Sequence, residues 1–329
     1  MVRRSLLAPG LLLLLWSAAP ADVTLRQTST IKLPSFIPPE FQAQMREQLH
    51  HSMPPETLLR IRGDKTYASY GPLAAIADYA RNEVTLLDPK GKRCATVPLA
   101  DFGDRLAAAL KATVSRGGAQ PLGQNLHFDV ATKKTGQVGL IQGIQSEESL
   151  TEITMQMAPL TQGPVGPVDA GLSTLRVEMR SWVAQAAEIR RQPALRELAD
   201  YTERSMRAIN PDDFFNKALS AVPGFAEQLG ATIYNLAKSN GGFTLKVSTA
   251  VYMPAITQLL QLAAGGPPPG FDPDGPIAEV LTDVAKISTD AVPDNVFTVP
   301  SGYQQAPFEE VVQAAIQTSV ALPPAAPGR

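Results

Sequence analysis

The sequence predicts an α+β fold built around one main antiparallel sheet. Three observations predict it. Many short segments alternate apolar and polar residues with a period of two, the pattern of a half-buried strand. These segments are closely spaced and separated by Gly, Pro and Asp-rich turn signals. Stripes with helical spacing gather in a block of the second half rather than alternating with the strands, which favours α+β over a parallel α/β sheet.

The first strand runs from Asp22 to Leu33, with Val23, Leu25, Gln27, Ser29, Ile31 and Leu33 on one side. Pro34, Pro38 and Pro39 end it. A helix follows, its stripe formed by Phe41, Met45 and Leu49. Leu59 to Arg62 and Lys65 to Tyr70 read as strands around Gly63-Asp64. After the break at Gly71-Pro72, Glu83–Leu87 and Arg93–Val97 form a hairpin across Asp88-Pro89-Lys90-Gly91, where Gly is expected to take the positive φ. Ala100 to Lys111 is a helix with Phe102, Leu106 and Leu110 four apart.

The middle repeats this style. Leu126–Ala131 is a short strand, followed by a turn at Thr135-Gly136, a strand over Gln137–Ile141 and a break at Gly143. Ser149–Met157 places Thr151, Ile153, Met155 and Met157 on one face. A Gly/Pro loop covers Ala158–Gly171, and Leu175, Val177 and Met179 then alternate with Arg176, Glu178 and Arg180. The helical block carries Leu195, Leu198, Tyr201, Ser205 and Ile209, then a start signal at Asn210-Pro211-Asp212-Asp213, and a further stripe of Phe225, Leu229, Ile233 and Leu236. Phe243–Tyr252 is a clean strand, and Gly265–Pro276 is a loop. Ile277–Ser288 fits a helix by the count of Ile277, Val280, Leu281, Val284 and Ile287, while Val280, Thr282 and Val284 also fit a strand. Phe308, Val311, Val312 and Ile316 suggest a terminal helix, and Pro323–Arg329 a tail.

The N-terminus reads as an export signal. Arg3 and Arg4 precede an apolar run from Leu6 to Trp16, and Ala19-Pro20-Ala21 supplies the small-x-small cleavage pattern, with the cut after Ala21. The run is shorter than the roughly 20 residues a spanning helix needs, and no later segment is apolar enough to span. The expected organisation is a signal peptide at 1–21, a single α+β domain at 22–304, and a C-terminal helix and tail at 305–329. The expected location is the periplasm or the medium.

Lys and Arg number 29 against 31 Asp and Glu, and losing Arg3 and Arg4 with the leader takes the net charge from −2 to about −4. Mild acidity excludes a nucleic-acid binder, which needs a basic stripe to displace counterions, and a polybasic membrane mode. The single cysteine, Cys94, cannot form an internal disulfide. It reads as a small apolar residue in a strand; its neighbours Lys92 and Arg93 would favour a thiolate.

No Walker loop, Rossmann glycine motif, nucleophile elbow or zinc-type Cys/His spacing is present. Hence no catalytic, cofactor-binding or metal residues are assigned and no cofactor is expected. His50 and His51 point about 100° apart on a helix, so with Glu47 they read as a solvated helix end rather than a chelate. Asp272-Pro273-Asp274-Gly275 echoes the start of a calcium loop, but the twelfth position is Asp283 without the intervening ligands, so it reads as a turn. His127 with Asp129 is the least poor base–orienter pair, and alternate strand positions more often mean a shared sheet face. Met45, Met53, Met155, Met157, Met179, Met206 and Met253 suit either a core or a yielding lipid pocket.

Three phrases carry a resemblance. They are Ile61-Arg62-Gly63-Asp64-Lys65 with Leu86-Leu87-Asp88-Pro89, Thr135-Gly136 leading to Ile141-Gln142-Gly143, and the stretch from Val292 through Phe297-Thr298-Val299-Pro300-Ser301-Gly302-Tyr303. Together they resemble a secreted bacterial family of unknown function, similar in pattern to the outer-membrane lipoprotein carriers and receptors of the LolA/LolB type. The resemblance implies a strongly curved antiparallel sheet forming an incomplete β-barrel, with helices packed in its concave face. It would make Ile277–Ser288 a strand. In the carriers that concavity holds acyl chains; no carrier site residue maps onto this chain. The expected function is an exported, non-enzymatic binding protein for a lipid or lipoprotein acyl chain. The alternatives are an exported hydrolase using His127 and a cell-envelope structural or interaction protein with a filled core.

Overall fold

A computed structural model describes residues 22–37, 39–52, 54–116, 127–156, 174–209, 217, 242–254, 266, 272 and 274–320. The expected leader, the loop at 158–171, the helical stripes between 210 and 236 and the C-terminal tail lie outside the described residues. Among the described residues the chain forms a single twelve-stranded sheet with helices, a mixed α+β fold.

The central strand is β1 (Val23–Lys32), paired antiparallel on one side with β2 (Glu56–Arg62) and on the other with β11 (Ala278–Ser288). From β2 a meander runs outward through β3 (Lys65–Tyr70), β4 (Leu73–Asp78), β5 (Glu83–Asp88) and β6 (Arg93–Pro98). From β11 the sheet continues through β10 (Thr244–Tyr252), β9 (Thr174–Ala184), β8 (Ile144–Gln156) and β7 (His127–Ile141). All these pairs are antiparallel; only the two-residue β12 (Gln304–Gln305) runs parallel, against β6. The sheet is open, with β7 and β12 at its two ends in the strand order.

The registers fix which residues share a face, because neighbours in the ladder point the same way. Val23, Leu25, Leu59, Ile61, Ala77, Val84, Leu86, Ala95 and Val97 fall on one face. Helices cover it. Leu195 and Leu198 of α4 (Pro193–Ile209) are fully buried against Val23, Leu25, Ile61, Leu245 and Val284, and burying each stabilises the fold by about 1.5–3 kcal/mol. Farther out, α2 (Leu99–Arg116) and α5 (Phe308–Val320) pack Ala109, Phe308, Val311 and Val312 on β4–β6. α5 is therefore part of the core. α1 (Pro39–Ser52) uses its expected stripe only partly: Phe41 is 56% exposed. A short α3 (Ala186–Arg191) links β9 to α4.

The opposite face of β4–β6 is covered by the segment after β11. Val292 and Phe297, the latter in a 3-10 turn over Asp294–Phe297, pack with Ile76, Leu87 and Cys94. The segment is pinned at three points. The Val292 N–H donates to the Asp22 carboxylate at 2.7 Å, and Arg62 donates to the Val292 carbonyl at 3.0 Å and to Asp294 at 2.7 Å. It then rounds the sheet edge as β12 and delivers α5 to the helical face.

Three local expectations change, and one open reading is decided. β4, of sequence LAAIAD, was not anticipated. Ile277–Ser288, which fits both periods, is a strand over Ala278–Ser288, as the resemblance implies, because Val280 to Asp283 pair into both β1 and β10. Thr135-Gly136 is not a turn between two strands but lies inside one long strand, where the pairing shifts between Lys134 and Val138 and Gly136 takes φ +77°. At the β5–β6 turn the positive φ belongs to Lys92 (+49°), not Gly91. Gly91 is there because a Cβ would collide with the Asp88 carboxylate, which accepts the Gly91 N–H at 2.9 Å.

Candidate functional site

Across β7–β11 the registers assemble continuous rows on the helical face of the sheet. One row reads Val130, Ile153, Val177, Val251, Ala278. Beyond it stand Met155 and Leu175. On the other side comes Thr132, Thr151, Met179, Thr249, Val280, Ile31, and then Lys134, Ser149, Ser181, Val247, Thr282, Ser29. The face thus grades from aliphatic to hydroxyl-bearing. Its hydroxyls satisfy one another or the backbone: Thr132 with Thr151 at 3.1 Å, Ser29 with Thr282 at 3.0 Å, and Ser149 donating to the Ser181 carbonyl at 3.5 Å. Ile153, Met155, Leu175, Val177, Met179, Val247 and Val251 are half-buried, and none belongs to the three buried clusters formed by the described residues.

The other face of the same strands is charged. Lys133 lies 4.0 Å from Glu152, Arg180 3.6 Å from Glu148, Arg176 3.6 Å from Glu178, and Lys246 3.9 Å from Asp283. Arg176 stacks 4.2 Å over the Tyr252 ring, whose hydroxyl donates to Glu178 at 3.4 Å. Burial first, and the Glu178 carboxylate second, push the Tyr252 phenol above its ordinary range, with Arg176 opposing. The charge on this face is local to these ion pairs: Ile144, Leu150 and Ala184 lie buried on the same side, and Ile144 and Ala184 pack with Leu195 and Leu198 of α4.

A cleft of about 400 Å³ opens at the hydroxyl end of the apolar face, lined by Thr132, Lys134, Glu147, Ser149, Val183 and Gln185 among others. Lys134 and Glu147 form an ion pair of 2.9 Å at its rim.

The residues considered for chemistry are scattered. His127 and Asp129 sit at alternate positions of β7, opposite Gln156 and Thr154. Cys94 lies in β6, near the other end of the sheet. Its thiol is 1% exposed, faces the Gln304 carbonyl at 3.6 Å, and is pushed up in pKa by burial. The flanking cations do not reverse this, since Arg93 is spent on Asp88 at 2.8 Å. Glu47, His50 and His51 share α1. Asp272 forms a turn with its own backbone, its carboxylate accepting the Asp274 N–H at 3.1 Å, while Asp283 stands within β11. Among the described residues no three His, Cys, Asp or Glu side chains are placed to share a metal ion, and no helix is long and apolar enough to cross a membrane.

Of the methionines, Met155 and Met179 lie on the apolar rows, whereas Met45 and Met206 belong to helices α1 and α4; Met53 and Met157 are outside the described residues. The sequence marked the apolar sides of β8, β9 and β10 separately. The rows themselves come from the registers, which no single strand encodes. No protein-family model matches the chain, and no curated protein matches it significantly.

Proposed function

We propose that this chain is an exported, non-enzymatic binding protein that holds a lipid or lipoprotein acyl chain against the apolar face of β7–β11. The observation that carries the reading is the run of half-buried aliphatic rows on one side of these strands, with ion pairs behind them. An acyl chain is long, apolar and without hydrogen-bonding groups. It matches half-buried aliphatic and Met side chains, which yield to its shape. The reading includes a sheet curved into an incomplete barrel around its helices, as in the LolA/LolB-type carriers. It also includes processing after Ala21, which places the mature chain in the periplasm or the medium.

The test is native mass spectrometry of the protein purified from an exporting host, followed by solvent extraction. The expected result is a chain beginning at Asp22 with a stoichiometric lipid that is lost on mild denaturation. A lipid-free mass together with no uptake of added fatty acid or phospholipid would overturn the reading.

A further inference from the structure

The sheet ends differently at its two edges. At one edge stands β12, two residues long. At the other stands β7, 15 residues long, whose outer side pairs with no strand among the described residues. Such an edge presents backbone N–H and C=O groups at the spacing another strand needs. The bulge between Lys134 and Val138 interrupts this row, but from His127 to Lys134 the register with β8 is unbroken. Within that regular stretch the charges are arranged about a centre. Asp129 and Lys133 stand two residues either side of Ala131. All three are exposed and occupy alternate positions, so they share one side of the strand. Inside the chain neither charge meets an opposite charge across the ladder: Asp129 stands opposite Thr154, and Lys133 opposite Leu150. Lys133 reaches Glu152 diagonally at 4.0 Å, with its side chain 64% exposed.

We infer that β7 pairs antiparallel with β7 of a second copy of this chain, about a two-fold axis through Ala131, joining the two sheets into one. That register sets Asp129 opposite the partner's Lys133 and Lys133 opposite the partner's Asp129. Opposite charges placed so across a ladder favour pairing. Val130 and Thr132 fall opposite one another on the other side of the strand. The axis stands normal to the sheet, so each face of one copy continues into the same face of the other. The charge pattern selects a second copy as the occupant: one strand carries both charges, and its own antiparallel image is complementary at both ends, as a two-fold contact requires. The contact uses the edge of both copies and so stops at a dimer. The bulge beyond Lys134 confines it to the regular stretch. The inference stands apart from the acyl-chain reading.

Sedimentation equilibrium of the purified protein measures the contact. The parent is expected to dimerise. Asp129→Lys and Lys133→Asp each set like charges opposite one another at both ends of the pairing. Each is expected to weaken the dimer at least about tenfold. Both positions are exposed, so these variants keep the fold, checked by circular dichroism. Mixed together, the two variants are complementary again and are expected to form a mixed dimer, read by native mass spectrometry. The exchange Asp129→Lys/Lys133→Asp in one chain is expected to restore self-association. A parent that stays monomeric up to about 0.1 mM overturns the inference. So does a dimer that neither single change weakens, and so does a failure of the two variants to combine.

Discussion

At the β5–β6 turn, the Asp88 carboxylate is nearly buried and accepts from the Gly91 N–H at 2.9 Å and from Arg93 Nε and Nη2 at 3.2 and 2.8 Å. Burial alone would raise its pKa, but the Gly91 amide and Arg93 outweigh it and hold the group below the ordinary Asp range. A carboxylate with a folded pKa below its unfolded value of about 3.9 contributes fully above that value. The contribution fades as pH falls through the folded pKa. Asp88→Asn is expected to cost about 1–3 kcal/mol at neutral pH and to flatten the loss of stability below about pH 4. Urea unfolding at neutral pH and in steps below pH 4 measures both; parallel losses in the two proteins would assign the acid sensitivity elsewhere. The motif Asp-Pro-Lys-Gly announced the turn in the sequence. It could not show that Gly91 serves a close approach while Lys92 takes the left-handed φ, because that division depends on where the carboxylate folds back.

Among the elements, α5 tests whether the C-terminal region is structural. Phe308 is 2% exposed and meets Phe102 of α2 edge-on, at 5.9 Å and 89°. Phe308→Ala leaves an apolar void between α2, α5 and the sheet and is expected to cost about 3–5 kcal/mol. A thermal or urea midpoint within error of the parent would mean that α5 docks loosely. The same scale shows which elements the sequence could reveal. β1, β10 and the stripe of α4 were legible because one buried face imposes a clean period of two or of 3.6. β4 was not, since its alanines carry little strand propensity and their small side chains blur the alternation. β11 satisfies both periods over one short stretch, and only pairing with β1 and β10 selects the strand. α3 is a six-residue link, too short for any period to emerge.

At the scale of the molecule, β1 divides the sheet into two meanders with different environments. Over β4–β6 both faces are covered, by α2 and α5 on one side and by the Val292–Tyr303 segment on the other. Over β7–β10 the ion pairs sit on the back and the aliphatic rows stand half-buried. If those rows hold a ligand, their chemistry should govern occupancy more than stability. Val177→Thr combined with Met179→Gln keeps approximate side-chain size and adds hydrogen-bonding groups to the centre of the face. Neither parent residue belongs to a buried cluster formed by the described residues, so the cost to folding is expected to stay near 1 kcal/mol each. An acyl chain laid over the new polar groups must desolvate them without offering partners. The bound lipid extracted per protein is therefore expected to fall severalfold. Glu178→Gln, on the ionic face of the same strand, serves as the control and is expected to leave lipid content unchanged. If the double variant instead retains its lipid and loses several kcal/mol in urea unfolding, the rows are interior packing surface, and the ligand must be sought away from this face.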